Sequence, residues 1–455
     1  MSSPLGSSQT SSESPIDFRI AIIGGGICGL VLAHGLNKYA HIDYNIYEAA
    51  ESTSDIGAGI SFGANGQNAL KIINSSAFAA FEKHATRNKT SSSPDVWCKY
   101  VIGKGDGAGN EIFTLTADGG FRSFHRSNFL GELFEAVPSE RVHFGKQCVR
   151  IEDNEGSPVI IHFSDGTTAT ADAIIGADGI HSTIRSQVVG ENTGKPEYTG
   201  CAAYRGLIDM DLAIKTMGPN VQNSRIACGP GSAIVSYPIE DGKTLNIVLC
   251  DFEYGEWNHE DWIAPVVWDE IEKRFSGWED NCQGLIKLMK ADNHQAWSLW
   301  QVPSLPTFYK GRVALIGDSA HAMTPFAGQG VAQGLEDVLV LEKLLGTLTD
   351  NDKALDIERV LSAYDKVRRP RSQDIVKLSR ETGQLFALQL AGIGDDREAI
   401  ASHHLGNTQK LGHPNLQKQI HEAIGWSSAS EADPARLCHL DLATGNVPKE
   451  DSDSE

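Results

Sequence analysis

The chain has 455 residues, of which 40% are hydrophobic and 22% are charged, and its formal net charge is −20. This length allows two or three domains with a large core, and the composition is that of an ordinary globular protein. The excess of acidic residues argues against nucleic acid or an anionic membrane surface as the main partner, although a local basic pocket for a small anion stays open.

The two ends of the chain are predicted to be loose tails, serine-rich over residues 1–16 and acidic over residues 441–455. The sequence contains neither a signal-peptide pattern at its start nor an apolar stretch long enough to span a membrane. Its cysteines are scattered without a C-x-x-C spacing, which argues against a metal site and suits a reducing compartment. We therefore expect a cytoplasmic protein without a bound metal.

The first ordered element is predicted at residues 20–23, a short apolar, β-branched run typical of a buried parallel strand. Glycines follow at the G-x-G-x-x-G spacing, a helical apolar face comes next, and a second strand ends at Glu48. This is the full context of a dinucleotide-binding fingerprint, in which the glycine backbone and the helix N-terminus hold a pyrophosphate and the acid binds a ribose. The glycines are Gly24, Gly26 and Gly29.

Residues 88–110 are polar and glycine-rich without strong periodicity, which predicts a loop region. The segment FHRSNFLGELFEAV then places Arg126 at the start of a helix. Further along, the apolar run at residues 173–176 predicts another buried strand, which leads directly into Asp178 and Gly179.

Residues 200–252 contain the strand-like segments CAAYRGLIDM, SAIVSYPIE and TLNIVLCDF, which predict an inserted antiparallel sheet. After it, GRVALIGDSAHAM has the form of a buried strand that ends in an acid, and the chain is mostly helical beyond Gln333. On the long basic helix predicted there, we interpret Arg368, Arg369 and Arg371 as a solvated face.

Three motifs, in this order, resemble those of the FAD-dependent aromatic hydroxylases, which are single-component flavin monooxygenases. They are the G-x-G-x-x-G turn with Glu48, the segment ADGIHSTIR, and the segment GDSAHAMTPFAGQG. Within this family the chain is most similar to salicylate hydroxylases and to related fungal polyketide hydroxylases, and the resemblance runs over about residues 18–380.

The resemblance and the order of the elements together predict a mixed α/β (α+β) fold. It has a Rossmann-type FAD-binding domain, an inserted antiparallel-sheet substrate domain and a helical C-terminal region. The expected ranges are residues 17–75, 107–192 and 293–345 for a discontinuous FAD-binding domain, 193–292 with parts of 76–106 for the substrate domain, and 346–440 for the helical region.

The resemblance also implies contacts with the flavin. Asp318 resembles the acid that hydrogen-bonds the ribityl chain of FAD. Gly328, Gln329 and Gly330 open a helix whose N-terminus faces the flavin pyrimidine ring, where the helix dipole stabilises negative charge. Pro325 fixes the turn beside the place where oxygen adds to the flavin. Taken alone, this stretch is equally compatible with an ordinary strand–loop–helix crossover.

Two further cofactor contacts are implied. Arg126 resembles an arginine that contacts FAD, with a surface arginine at a helix start as the alternative. Asp178 resembles the acid that lies where FAD and the incoming nicotinamide cofactor meet, and the neighbouring Gly179 is expected to bind the cofactor as well. His321 is expected to make a structural hydrogen bond. FAD is expected to bind non-covalently.

Only one dinucleotide fingerprint is present, and the resemblance assigns it to FAD. NADH or NADPH is therefore expected to bind without a fingerprint of its own, and the choice between the two stays open.

The implied activity is hydroxylation of a small aromatic substrate, a phenol or phenolic acid, with NAD(P)H and O2 through a flavin C4a-hydroperoxide. An FAD-dependent oxidase or dehydrogenase and a non-catalytic FAD carrier are alternatives. A monooxygenase for larger, polyketide-type substrates is a third, because Phe326 and Ala327 stand where salicylate hydroxylases often carry a histidine. The oligomeric state is not specified.

Two residues of the inserted sheet are candidate catalytic groups. Arg205 in AYRGLI and Tyr237 in SYPI lie in apolar strand contexts, where a charge is costly without a partner. Related fungal hydroxylases hold the anionic oxygen of the substrate with an arginine and a tyrosine in matching motifs, and an arginine fork suits a carboxylate or phenolate. The alternative is a structural salt bridge for Arg205 and simple packing for Tyr237, as expected for Trp297 and Trp300.

Overall fold

The structure is a computed structural model that describes residues 18–52, 59–291, 294–348, 353–412 and 414–428. The two predicted tails, at residues 1–16 and 441–455, lie outside these ranges. The strands are β1 (Phe18–Ile23), β2 (Ile42–Tyr47), β3 (Gly59–Ser61), β4 (Val96–Ile102), β5 (Glu111–Thr116), β6 (Ser123–His125), β7 (Val142–His143), β8 (Cys148–Glu152), β9 (Val159–Phe163), β10 (Thr168–Ala171), β11 (Ala173–Gly176), β12 (Glu197–Asp209), β13 (Arg225–Gly229), β14 (Ser232–Ile239), β15 (Thr244–Asp251), β16 (Ile263–Pro265), β17 (Gln295–Gln301), β18 (Tyr309–Lys310) and β19 (Val313–Leu315). The helices are α1 (Ile27–Leu36), α2 (Ala64–Ile73), α3 (Ser75–His84), α4 (Arg126–Glu135), α5 (Thr183–Val189), α6 (Met210–Met217), α7 (Trp268–Arg274), α8 (Asp280–Lys290), α9 (Asp318–His321), α10 (Gly330–Leu345), α11 (Lys353–Phe386), α12 (Arg397–Gly412) and α13 (Leu416–Ser428).

The first large sheet has six strands in the order β18-β19-β11-β1-β2-β7. β1 pairs in parallel with β2 and β11, and β11 pairs in parallel with β19. The buried parallel strands predicted at residues 20–23 and 173–176 are therefore confirmed. The carboxyl ends of β1, β11 and β19 meet at one edge of the sheet, and the loops that follow them carry Gly24, Asp178 and Asp318.

The second large sheet has eight strands in the order β16-β17-β12-β15-β14-β13-β4-β5. Its central pairs β12–β15 and β14–β15 are antiparallel, as predicted for the inserted block, whereas β13 and β4 are parallel. The prediction of a loop region at residues 88–110 is wrong, because β4 lies within it. In β4, Val96, Cys98 and Tyr100 are buried at alternate positions, and polar segments on both sides hide this short pattern.

The predicted division into domains stays a prediction, but sheet pairing bears on two of its boundaries. β5 and β17 fall within ranges 107–192 and 293–345, which the sequence assigns to FAD binding. Both strands nevertheless pair within the eight-stranded sheet. Their hydrogen-bonded neighbours thus place them with the substrate side of the fold.

The eight-stranded sheet has two faces with different neighbours. On one face, Tyr204 and Ile247 pack into a closed core with α6, α7 and α8. On the other face, Val248 lies against a cavity. Since successive side chains of a strand alternate between the faces, Arg205 belongs to the cavity face, and so does Tyr237.

The C-terminal helices close the fold, and the longest, α11, continues through Pro370. The prediction of a solvated basic face on this helix is wrong. Arg368 is fully buried, and Arg371 donates to Glu336, which is buried on α10, while Arg369 is half-buried. Arg369 donates to Asp365 on its own helix, but the acids that Arg368 and Arg371 meet lie on α10, so the sequence pattern of α11 alone does not reveal them. Within the described residues, no helix is both long and apolar enough to cross a membrane.

Candidate active site

A cavity of about 1340 Å³ lies between the carboxyl edge of the six-stranded sheet and one face of the eight-stranded sheet. All the residues predicted from the sequence to bind FAD or act on the substrate line this cavity, except Gly29. Pockets for a single drug-sized ligand measure roughly 300–1,000 Å³. The cavity therefore has room for a dinucleotide-sized group together with a smaller second ligand.

Glycine is required at each of the three fingerprint positions for a different physical reason. Gly24 has φ +110°, and a Cβ there would lie 2.4 Å from the Ala177 carbonyl oxygen. A Cβ on Gly29 would lie 2.1 Å from the Gly24 carbonyl oxygen, so Gly29 permits close packing of α1 against the turn. A Cβ on Gly26 would meet nothing within 4 Å, because Gly26 faces the open cavity. That open space at the N-terminus of α1 is where a pyrophosphate fits.

Glu48 lies just beyond the end of β2, at the wall of the cavity. Its Oε2 accepts a hydrogen bond from the Gly25 backbone N–H at 2.6 Å, and its Oε1 accepts one from the Ala50 N–H at 2.8 Å. These bonds hold the carboxylate in place and leave lone pairs for other donors. The arrangement suits the ribose contact predicted for Glu48.

The Asp178 carboxylate is held by its own loop. Its Oδ1 accepts from Ser182 Oγ at 2.6 Å, and its Oδ2 accepts from the backbone N–H groups of Thr183 at 2.8 Å and Ile184 at 3.1 Å. Burial raises the pKa of Asp178, and the Ser182 hydrogen bond acts in the opposite direction. Asp178 thus stabilises the start of α5, a role that the motif alone does not show.

Arg185 joins two of the motif loops. This buried guanidinium donates to the backbone carbonyls of Ile180 at 2.6 Å, Gly194 at 2.8 Å and Ser319 at 3.0 Å. Because Ser319 directly follows Asp318, these bonds fix the loop after β11 relative to the loop after β19.

Asp318 opens α9, and its side chain is exposed to the cavity between the two sheets. Desolvation inside this cavity raises the pKa of Asp318, whereas His321 and Arg126 lower it. Arg126 lies at the start of α4, as predicted, and lines the same cavity. His321 makes the predicted structural hydrogen bond, with 2.5 Å between its Nε2 and Asp337 Oδ2. An acid at this depth suits the hydroxyl groups of a ribityl chain.

The turn before α10 brings backbone N–H groups to the cavity. Residues 325–327 form a 3-10 turn that begins at Pro325, Gly328 adopts φ +60°, and α10 starts at Gly330 without a side-chain cap. The Gln329 side chain points into the protein, where its Oε1 accepts from Asn65 Nδ2 at 2.9 Å. Gln329 therefore contributes its backbone to the cavity wall, and its side chain anchors the turn.

FAD fits this set of residues. A glycine turn opens on free space at one helix N-terminus, an acid faces the cavity in its middle, and an uncapped helix N-terminus lies further along. Uncapped N–H groups need acceptors, and a phosphate or a flavin ring edge provides them.

The floor of the cavity is the face of the eight-stranded sheet that carries Arg205. The Arg205 guanidinium lies over the Trp297 ring, 5.6 Å from its centroid, and within the described residues Arg205 forms no ion pair. The structural salt bridge considered as an alternative is therefore not observed there. Tyr237 donates its hydroxyl hydrogen to the Gly59 carbonyl at 2.7 Å. Burial raises the pKa of Tyr237 to about 12, and Arg205 acts in the opposite direction.

Sequence reasoning missed several residues of this wall. Trp297, expected to be packing, lies under Arg205 and lines the cavity, whereas Trp300 stacks on Trp262 at 4.5 Å between ring centroids. Tyr100 and His404 also line the cavity. The alternating pattern of β4 was a usable signal for Tyr100, but no motif marks His404.

Comparisons with known proteins agree with this site. The FAD binding domain family matches residues 126–379. The chain is 37% identical over 411 residues to a 6-methylsalicylate 1-monooxygenase of Aspergillus terreus, with 89% of this chain and 91% of the relative covered. It is 33% identical to a salicylate hydroxylase of Pseudomonas putida, with 91% and 97% covered.

A solved salicylate hydroxylase substrate complex has a TM-score of 0.80 and 29% identity, and the match covers 90% of this chain and 98% of that one. The fold, the cofactor-sized cavity and these relatives agree, and they set aside the carrier and oxidase alternatives. The chain belongs to the FAD-dependent aromatic hydroxylases of the salicylate hydroxylase type, monooxygenases that use FAD, NAD(P)H and O2.

Proposed function

We propose that the substrate is a phenolic acid of the 2-hydroxybenzoate type with an apolar ring substituent, and that Arg205 binds its anionic oxygens. The observation that carries this proposal is Arg205, a cation in an apolar floor that forms no ion pair within the described residues. A half-buried cation without a counter-charge is costly, and a bound carboxylate or phenolate supplies one. A relative named for 6-methylsalicylate supports the same substrate class.

Bound FAD supplies electron transfer from NAD(P)H and the activation of O2. Each turnover consumes one substrate, one NAD(P)H, one O2 and one proton, and it forms one hydroxylated product, one NAD(P)+ and one water. Arg205 favours the ionised substrate, whose electron-rich ring accepts oxygen more readily, and it orients that ring. Val235 and Val248 exclude water from the floor, and the N-terminus of α10 directs N–H groups toward the negative charge of the cofactor.

Tyr237 has a supporting role in this proposal. The phenol side chain of Tyr237 has one hydroxyl hydrogen, and in the structure it donates that hydrogen to the Gly59 carbonyl oxygen. Tyr237 therefore positions the start of β3 at the cavity wall. If its hydroxyl rotates away from Gly59, it becomes a second donor beside Arg205.

A larger, polyketide-type phenol is the second candidate substrate. Phe326, which stands where a histidine base is often found, packs on Phe252 at 4.8 Å between ring centroids and extends the apolar wall. The choice between NADH and NADPH stays open, and the cytoplasmic location and the roles assigned to individual site residues stay predictions.

The test measures NADH and NADPH oxidation by the FAD-loaded protein with and without salicylate, 6-methylsalicylate and larger alkyl-substituted analogues, under labelled oxygen gas. We expect at least one of these acids to accelerate oxidation and to gain one labelled oxygen atom. Equal rates with and without every phenolic acid, together with no labelled product, contradict the proposal.

A further inference from the structure

One row of side chains crosses the floor of the cavity from strand to strand. In register, Tyr100 pairs with Ile226, Ile226 with Val235, Val235 with Val248, and Val248 with Arg205. Neighbouring strands lie about 4.8 Å apart, so the row is roughly 19 Å long. A cation stands at one end, aliphatic side chains fill the middle and a phenol stands at the other end. This is longer than a single aromatic ring requires.

The phenol end is completed by a helix. His404 of α12 places its Nε2 3.0 Å from the Tyr100 hydroxyl oxygen. The Phe113 ring stacks on Tyr100 at 4.3 Å between centroids, and the Phe386 ring lies 5.7 Å away. Tyr100 is 3% exposed and His404 is 6% exposed, and both line the cavity. The two polar groups are thus enclosed by aromatic rings except toward the cavity.

The same helix turns one face to the cavity. His404, Thr408, Leu411 and Gly412 all line it, at the spacing of one helical face. α12 therefore forms a wall of the site, although its sequence carries no motif. The Phe386 ring links this wall to the turn before α10, since it lies 6.1 Å from the Phe326 ring.

The Tyr100–His404 pair has one hydrogen-bond donor left over. Burial lowers the pKa of His404 to about 4, so its imidazole is neutral and carries one N–H, and burial keeps the Tyr100 hydroxyl protonated by raising its pKa. The pair thus has two donor hydrogens, one on the Tyr100 hydroxyl and one on the His404 imidazole. Their shared hydrogen bond uses one of the two, whichever ring donates. Within the described residues neither ring makes a second hydrogen bond. A nearly buried donor without an acceptor costs free energy.

We propose that Tyr100 and His404 together bind an acceptor oxygen of the substrate, at the end of the cavity away from Arg205. The substrate is then an aromatic acid whose ring carries an apolar arm with a carbonyl or ether oxygen. The arm lies along Ile226 and Val235, and α12 sets the specificity. This inference rests on the proposed function, because it takes Arg205 as the anchor of the acidic end.

The test uses 2-hydroxybenzoates with an alkyl chain of one length, in which a carbonyl group is either absent or placed at successive carbons. Dissociation constants are read from the change that each compound causes in the visible spectrum of the bound flavin. We expect one keto compound to bind about tenfold or more tightly than the plain alkyl compound, as for a site with a dedicated hydrogen-bond donor. Equal binding of all the compounds to the unsubstituted protein overturns the inference.

Variants then assign the preference to the pair. Tyr100→Phe combined with His404→Phe keeps an aromatic ring at both positions and removes both donors, so the tenfold preference is expected to disappear while FAD content and affinity for the plain alkyl compound stay the same. His404→Phe alone keeps the Tyr100 donor but loses its orientation, and it is expected to weaken the preference several-fold. Ser402→Ala, at an exposed position of α12 that does not line the cavity, is the matched control and is expected to keep it.

A preference that persists in the doubly substituted protein also overturns the inference. If the doubly substituted protein loses FAD, the single His404→Phe variant provides the test. An unchanged preference for the keto compound in that variant also overturns the inference. Failure of the proposed function looks different. In that case neither keto nor plain compounds perturb the flavin spectrum, and Arg205→Ala changes nothing.

Discussion

Arg368 donates from Nε to Asp337 Oδ1 at 2.9 Å, and both side chains are fully buried. The same guanidinium donates from Nη1 to Glu336 Oε2 at 2.7 Å. Glu336 accepts from Asn65 Nδ2 at 2.8 Å, and Asn65 also donates to Gln329 at 2.9 Å. A continuous set of buried hydrogen bonds therefore connects α11 to the turn that presents the N-terminus of α10 to the cavity.

We expect Arg368→Met to lower the free energy of unfolding by about 3–5 kcal/mol, because buried Glu336 loses its main counter-charge and buried Asp337 keeps only His321. Lys377→Ala, on an exposed turn of the same helix, is the control and should change the free energy by less than about 0.5 kcal/mol. Urea unfolding measures both. A loss below about 1 kcal/mol for Arg368→Met would show that the acids find other partners.

Glu336 predicts a particular dependence of stability on pH. Burial raises its pKa, but Arg368 and Arg371 outweigh burial and hold the pKa at about 2, below its ordinary value of 4.5. A carboxyl whose pKa is lowered on folding stabilises the fold above its unfolded pKa. This stabilisation is lost as the pH falls from about 4.5 to about 2, and it is on the order of 3 kcal/mol.

The stability difference between the unsubstituted protein and Glu336→Gln should therefore shrink over that pH range. The measurement is chemical unfolding of both proteins at several pH values. A difference that stays constant from pH 5 to pH 2 would assign the effect of the substitution to packing instead of charge.

The fingerprint glycines allow a matched pair of substitutions. Gly26 has an extended backbone, with φ −72° and ψ 179°, and a valine side chain there would occupy open space. We therefore expect Gly26→Val to keep the stability of the fold within about 1 kcal/mol while FAD content falls more than about tenfold. Gly29→Ala drives a Cβ to 2.1 Å from the Gly24 carbonyl oxygen and should destabilise the fold itself. Thermal unfolding and flavin absorbance separate the two effects. Full flavin content in Gly26→Val would show that the pyrophosphate lies elsewhere.

Asp178→Ala should have two separable consequences. Loss of the hydrogen bonds at the start of α5 should cost about 1–2 kcal/mol of stability. If Asp178 also lies where the cofactors meet, the rate of flavin reduction by NAD(P)H should fall further than in Ser182→Ala, which disturbs the same turn. Stopped-flow absorbance measures that rate. Equal rates in the two variants would leave Asp178 with the capping role alone.

Arg205→Ala should weaken the binding of a phenolic acid by roughly 10- to 100-fold, the cost of losing charge-assisted hydrogen bonds, with FAD content unchanged. Arg205→Lys keeps the charge but not the planar fork, and it should restore binding only in part. Tyr237→Phe releases the Gly59 carbonyl and should lower the yield of product per NAD(P)H more than it lowers affinity. Normal hydroxylation by both Arg205 variants would return Arg205 to a structural role.

The sequence by itself determined the fold class and predicted a set of FAD-site residues that line one cavity, because the elements of each motif are close together along the chain. A strand, a glycine turn, a helix and an acid lie close together along the chain, so their spacing already contains the geometry that Gly24, Gly26 and Glu48 adopt. The loops at Asp178 and Asp318 follow the same rule, because each directly follows a buried parallel strand and such strands end at one edge of a sheet.

Only the tertiary structure decided which distant side chains meet. Arg368 is part of a basic run, and its burial became evident only when α10 placed Glu336 and Asp337 against it. Tyr100 and His404 are 304 residues apart and share a hydrogen bond. Such contacts depend on the register between strands and the packing of helices, and the pattern of one segment does not identify its distant partner. Arg205 and Tyr237 could be named as candidates from their own segments, but the Tyr100–His404 end of the cavity is built from a long-range pairing and could not be derived from the motifs.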